Sequence, residues 1–146
     1  MAAFIPVSAA QASTSIISPP KPCSSINSAA LHSLFGVRNS VRLTLTPASS
    51  GKGTNKVNSC IVIYQGHLLM VSAKLHATKF DGPFRCYTKP ALGSKGRVCV
   101  STSSQLKNTW GMFYKKGVYF YDLYTVTLPS QGARMYSFAL AQYKNI

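Results

Sequence analysis

Residues 109–128 read TWGMFYKKGVYFYDLYTVTL. Trp110, Met112 and Tyr114 alternate with Gly111 and Phe113, Lys115, Lys116 and Gly117 interrupt, and alternation resumes at Val118. Period-two alternation marks a half-buried strand, because successive side chains point to opposite faces of the pleat. Three intervening residues with glycine last fit a type I turn followed by a left-handed residue, so the stretch reads as a β-hairpin. On its second arm Val118, Phe120, Tyr124, Val126 and Leu128 share a face with Asp122, and this row is assigned to the core. Tyr119, Tyr121, Leu123, Thr125 and Thr127 share the other face. A carboxylate in the inward row needs a lysine or arginine partner, or a place at the rim of the sheet. Asp122 is therefore read as a structural partner rather than a catalyst.

Outward from this hairpin the same reasoning finds more strands. Residues 60–64 and 67–76 form a second hairpin about Gln65-Gly66, with Leu69, Val71, Ala73 and Leu75 inward and Leu68, Met70, Ser72, Lys74 and His76 outward; a short helix over 68–76 is the alternative. Asp81-Gly82-Pro83 is a turn signal. Residues 97–101 are β-branched enough for a short strand, and 135–143 read as either a last strand or a closing helix. Five to six short strands with polar turns imply a mostly β fold, a small antiparallel barrel or sandwich.

The charge balance narrows the partners. Sixteen lysines and arginines face two acids, Asp81 and Asp122, and there is no glutamate. Charged residues are 12% of the chain, about half the usual share, and nearly all are positive. Such a chain seeks polyanions: RNA, DNA, an anionic surface or an acidic partner. The longest apolar stretch, residues 61–71, is broken by Gln65, Gly66 and His67, so no transmembrane segment is expected.

Residues 1–57 differ from the rest. They hold 11 Ser, 4 Thr, 8 Ala and 5 Pro, no acid, and only Phe4 and Phe35 among the aromatics. Such a composition buries too little apolar surface to offset its ordering entropy, and the segment is expected to be disordered when free. No charge occurs before Lys21, and arginine first appears at Arg38 and Arg42. An uncharged start, a Ser/Ala-rich middle and a late basic patch resemble a chloroplast transit peptide. The prolines at 6, 19, 20 and 22 oppose the early helix of a mitochondrial presequence. The resemblance implies import into the chloroplast stroma or to the thylakoid, with cleavage somewhere in 47–60. Residues 58–146 would then be the folded part, a small basic β-rich domain with eleven cations against two acids, a net +9.

Nothing in that part selects a catalytic or cofactor motif. His67, His76, Asp81 and Asp122 form no local acid–base constellation. Gly51-Lys52-Gly53-Thr54 lacks the spacing of a phosphate loop. Cys23, Cys60, Cys86 and Cys99 contain no close pair of the kind that starts a zinc site, and are expected as buried or free thiols in a reducing compartment. The chain is read as a non-enzyme with no metal and no cofactor. Aromatic and basic residues do interleave. Trp110, Tyr119 and Tyr121 offer rings on which bases could stack, while Lys115, Lys116, Lys95 and Arg97 offer charges for phosphates. RNA binding, in a ribosome or nucleoid, is the first functional expectation. An accessory subunit of a larger chloroplast complex is the second. The third is a targeting segment joined to sequence never selected for activity.

Overall fold

The computed structural model describes residues 18–78, 83–103, 109–126 and 131–145. Seven strands form one antiparallel sheet: β1 (Thr46–Ser50), β2 (Val57–Tyr64), β3 (His67–Lys74), β4 (Phe84–Thr88), β5 (Arg97–Ser101), β6 (Trp110–Lys116) and β7 (Tyr119–Val126). Their order across the sheet is β1-β2-β3-β7-β6-β5-β4. Two α-helices, α1 (Ser28–Phe35) and α2 (Gln131–Asn145), and three short 3-10 turns complete the described elements. The mostly β expectation holds, but the sheet is open rather than closed into a barrel, and helices take the place of a second sheet. Residues 135–143 lie within α2, so of the two expectations there the closing helix is the one met.

Turn chemistry sets the register. Gln65 and Gly66 hold positive φ of 49° and 79°, as a type I′ turn requires at both central positions, and Tyr64 pairs with His67 across it. In the β6–β7 hairpin Lys116 pairs with Tyr119, leaving a two-residue loop of Gly117 and Val118. Gly117 takes φ 64° at the first central position, as in a type II′ turn. A three-residue loop closed by Tyr114 and Val118 would have paired Met112 with Phe120 and put Phe120, Asp122 and Tyr124 on the face of Met112. The shorter loop instead pairs Met112 with Leu123 and Tyr114 with Tyr121. One residue of loop length inverts every side chain on the strand. The expected inward row is therefore corrected: Tyr121, Leu123 and Thr125 are buried in the core, and Phe120, Asp122, Tyr124 and Val126 lie on the opposite face. The assignment for β3 stands for Leu69, Val71 and Ala73, which face inward, but the strand ends at Lys74, so Leu75 lies beyond it and is only half-buried.

The core lies between one sheet face and the helices. From α2 come Met135, Phe138 and Ala139, from α1 Leu31, Leu34 and Phe35, and from the sheet Val62, Leu69, Val71, Met112 and Leu123. The buried positions of α2, 135, 138, 139 and 142, follow the helical i, i+3, i+4, i+7 stripe. No helix among the described residues lies on the opposite face. Thr78, on the connection leaving β3 for the far edge strand β4, bonds to the Asp122 carboxylate there, and Arg97 donates to the Thr78 carbonyl at 2.9 Å. Asp122 also pairs with Lys74 at 2.5 Å, a basic partner found on the face opposite the one expected for this carboxylate.

Residues 18–57 depart from the disorder expected of their composition. Asn27 caps α1 by accepting from the Ala30 amide at 2.8 Å, and Gly36 ends the helix at φ 68°, as capping chemistry favours at each end. Between the caps, Leu31, Leu34 and Phe35 form an apolar face that α2 and the sheet cover. The buried Gln142 of α2 accepts from the Asn27 amide at 2.8 Å and donates to the Ser25 carbonyl at 3.3 Å. Residues 1–17, with the uncharged start of the transit-peptide resemblance, lie outside the described residues. So does Asp81.

The cysteines also differ from expectation. Cys23 is bonded to Cys60 and Cys86 to Cys99, leaving no free thiol. Cys86 and Cys99 are opposite each other in the β4–β5 register, a proximity invisible in their sequence spacing. Cys60 lies on the helix-covered face of β2 and holds the short 3-10 turn Pro22–Ser25 against the sheet.

One buried group makes the fold sensitive to alkali. Tyr114 is 1% exposed, stacks on Tyr121 at 5.2 Å, and its hydroxyl has no hydrogen-bond partner among the described residues. Burial, and then the neighbouring Tyr121 and Tyr143, push its phenol well above the ordinary range. A raised folded-state value means stability present below the unfolded tyrosine value of about 10, and lost as pH climbs past it. Tyr114→Phe keeps the ring contacts and removes an unsatisfied hydroxyl, so denaturant midpoints at pH 7 should be unchanged or slightly higher. At pH 11 the variant should lose less stability than the parent, and an equal loss would rule Tyr114 out as the cause.

Candidate nucleic-acid interface

At the β4 edge of the helix-covered face, the sheet extends beyond α2 and leaves a cavity of about 300 Å³. Its wall is built from three strands and a helix. β4 contributes Tyr87, paired in register with Val98 of β5, which in turn pairs with Met112 beside Trp110 of β6. α2 contributes Ala133 and Tyr136, and Lys89 follows β4. Three rings therefore line one concavity. Tyr87 is 49% exposed, and Trp110 and Tyr136 are half-buried. The Lys89 ammonium sits 5.3 Å from the centre of the Tyr136 ring, a cation–π distance.

The cations here have no counterion among the described residues. Among the described residues the one ion pair is Lys74 with Asp122, on the opposite face. Arg85 lies two residues before Tyr87, on the same face and exposed. Lys95 is exposed in the loop between the 3-10 turn Pro90–Leu92 and β5. Apolar rings flanked by uncompensated ammonium and guanidinium groups can stack a base and neutralise its phosphates together.

The seven residues expected at a nucleic-acid site are dispersed. Trp110 lines the cavity, and Lys95 lies in the loop that follows the same edge strand. Tyr121 is 6% exposed and faces the core, so it offers no stacking surface. Tyr119 is half-buried at the hairpin, its hydroxyl donating to the Ser18 carbonyl at 3.1 Å. Lys116 bonds to the Tyr143 carbonyl in the last turn of α2 and lies 4.5 Å from that ring's centre, which suits a cation at a helix C-terminus. Lys115 covers Phe120, and Arg97 covers Phe113 on the opposite face. Tyr87, Lys89 and Tyr136 were not read from the sequence. The Arg-Cys-Tyr-Thr-Lys run at 85–89 carries the aromatic–basic signal, but nothing in its pattern marks 84–88 as the edge strand β4.

The uncovered face holds a second feature, a groove of about 390 Å³ beside Lys74, Thr78 and Asp122. Its polar groups are already matched to one another. Ser59 and Ser72 hydroxyls lie 2.8 Å apart, and the Asp122 carboxylate engages Lys74 and Thr78. The network anchors the connection leaving β3.

No helix among the described residues is long and apolar enough to cross a membrane. Comparison with known proteins finds no family model, no curated protein and no solved structure that matches the chain.

Proposed function

We propose that this chain is a small basic plastid protein that binds single-stranded RNA at the β4 edge. The observation that carries the reading is the cavity of Tyr87, Trp110 and Tyr136 with Lys89 at its side. Stacking contributes roughly 1–3 kcal/mol per base and is tolerant of sequence, while each phosphate neutralised adds to the salt dependence. The chain's +14 charge favours the encounter. Tyr87 is the residue to change first, because its exposed ring contributes little to the core. With a labelled unstructured oligonucleotide, Tyr87→Ala should weaken binding about 10-fold, within the stacking range above. Tyr119→Ala, away from the cavity, should leave affinity within about two-fold on the same reasoning. Equal affinities for Tyr87→Ala and the parent would place the binding site elsewhere.

Plastid import rests on the transit-peptide resemblance. Cleavage at 47–60 would remove α1 and Cys23, so the reading carries a condition: imported protein must keep residues 18–57. N-terminal sequencing of the protein from isolated plastids checks this, and a mature chain beginning within 47–60 would contradict it.

A second reading, an accessory subunit of a larger chloroplast complex, is favoured by the uncovered face. There Ile61, Met70 and Tyr124 form one cross-strand row, and Ile63, Leu68 and Val126 another. Ile63 is 64% exposed. Association through such a face persists in salt that strips an RNA ligand, so salt separates the two readings.

A further inference from the structure

The opposite edge of the sheet carries a concavity of different chemistry. It measures about 380 Å³ and is lined by Lys21, Pro47, Ser49, Lys56, Asn58 and Ser59, with no aromatic ring. β1 and β4 are the two edges of a seven-stranded sheet. At about 4.8 Å per strand, these edges lie on the order of 30 Å apart across the sheet, with β3 and β7 between the two concavities.

Each wall is fixed by contacts already made. Lys21 precedes the turn that Cys23 fastens to β2, and Asn58 donates to the Pro19 carbonyl at 2.7 Å, so the chain on both sides of Lys21 is tied down. Ser49 donates to the other end of the Asn58 amide at 2.8 Å. Lys56 is delivered by the loop from β1, whose path depends on Gly51. At φ 75°, a Cβ there would meet the Asn55 carbonyl oxygen at 2.3 Å. The two ammonium groups have no carboxylate partner among the described residues, because Asp122 is held by Lys74. Two cations brought to one concave surface of ordered neutral groups concentrate anions there.

We propose that this pocket binds a phosphate group, with Lys21 and Lys56 neutralising its two negative charges. The Ser49–Asn58 pair supplies a pre-ordered polar floor, and Pro47 an apolar patch for whatever carries the phosphate. The site is independent of the aromatic cavity: a phosphate on a small molecule and a phosphate in a nucleic-acid backbone present the same chemistry to it.

The test is a titration of the isotopically labelled full chain with inorganic phosphate at constant ionic strength, read from backbone amide shifts. The amides of Ser49, Lys56 and Asn58 should move saturably with phosphate and not with chloride. The Lys21→Gln/Lys56→Gln variant, which alters only partly exposed side chains, should bind about 10-fold more weakly or not at all while keeping its melting temperature, as expected for loss of two charge contacts. Tyr87→Ala should leave the phosphate response intact, which separates this site from the RNA reading. If single-stranded RNA moves the same amides and competes with phosphate, the backbone is the natural source; if it does not, a small phosphorylated molecule is. Shifts linear in phosphate, or unchanged in the double variant, overturn the proposal.

Discussion

A chain trimmed to residues 58–146 is expected to show no cooperative thermal transition under conditions where the full chain melts in one step. The trimmed part contains six of the seven strands and all of α2, yet it loses the layer beneath which they pack. Leu31 and Leu34 are each 2% exposed and Phe35 7%, and removing a buried side chain of this size costs about 2–5 kcal/mol. The Cys23–Cys60 bridge spans 37 residues, worth about 4 kcal/mol on the chain-entropy account. Gln142, 2% exposed, would lose its partners at Ser25 and Asn27 and become an unsatisfied buried amide. Together these losses rival the whole stability of a small domain, about 5–15 kcal/mol. Circular dichroism with temperature reads the result directly. A sharp melt from the trimmed chain would mean that residues 18–57 merely decorate a self-sufficient sheet.

Phe138→Ala should be the most damaging single substitution outside the cysteines. Phe138 is 1% exposed, between Met135 and Ala139 on the buried stripe of α2, and belongs to the cluster that joins both helices to the sheet. Truncating a buried phenylalanine costs about 3–5 kcal/mol, part of it for the cavity left behind. In a domain of this size that corresponds to a melting temperature lower by roughly 10 °C or more. Tyr136→Ala, on the same helix but lining the surface cavity, should cost less than half as much stability while still weakening RNA binding. Equal destabilisation by the two would mean that α2 does not pack on the stripe described.

What was legible in the sequence was local. Gln65-Gly66 carried its own turn chemistry, and the period-two pattern around it placed Leu69, Val71 and Ala73 correctly. The β6–β7 hairpin was equally visible, but its register was not. Lys115-Lys116-Gly117 fits a three-residue loop with glycine last, and Gly117-Val118 fits a two-residue loop with glycine first. Only packing beneath α2 selects between them, and that choice moved Tyr121 from a stacking surface into the core. The α1 helix was hidden by averaging: over 57 residues serine and proline dominate, although Asn27 and Gly36 bracket an apolar i, i+3, i+4 stripe. The disulfides follow from strand register and the docking of the Pro22–Ser25 turn, neither of which spacing reveals. Of the candidate site, Trp110 and the general idea of rings beside cations were readable. Tyr87 and Tyr136 were not, since they meet Trp110 only once β4 has crossed the sheet to its far edge.

Trp110 is the chain's one tryptophan and stands in the wall of the proposed RNA site, so its fluorescence tests the account most directly. Full-length protein titrated with an unstructured single-stranded RNA at low salt should show saturable quenching, with log affinity falling linearly against log salt. Tyr87→Ala should shift that curve to higher RNA concentration. A tryptophan signal that ignores RNA at low salt, in protein that still melts cooperatively, would contradict the assignment of this cavity.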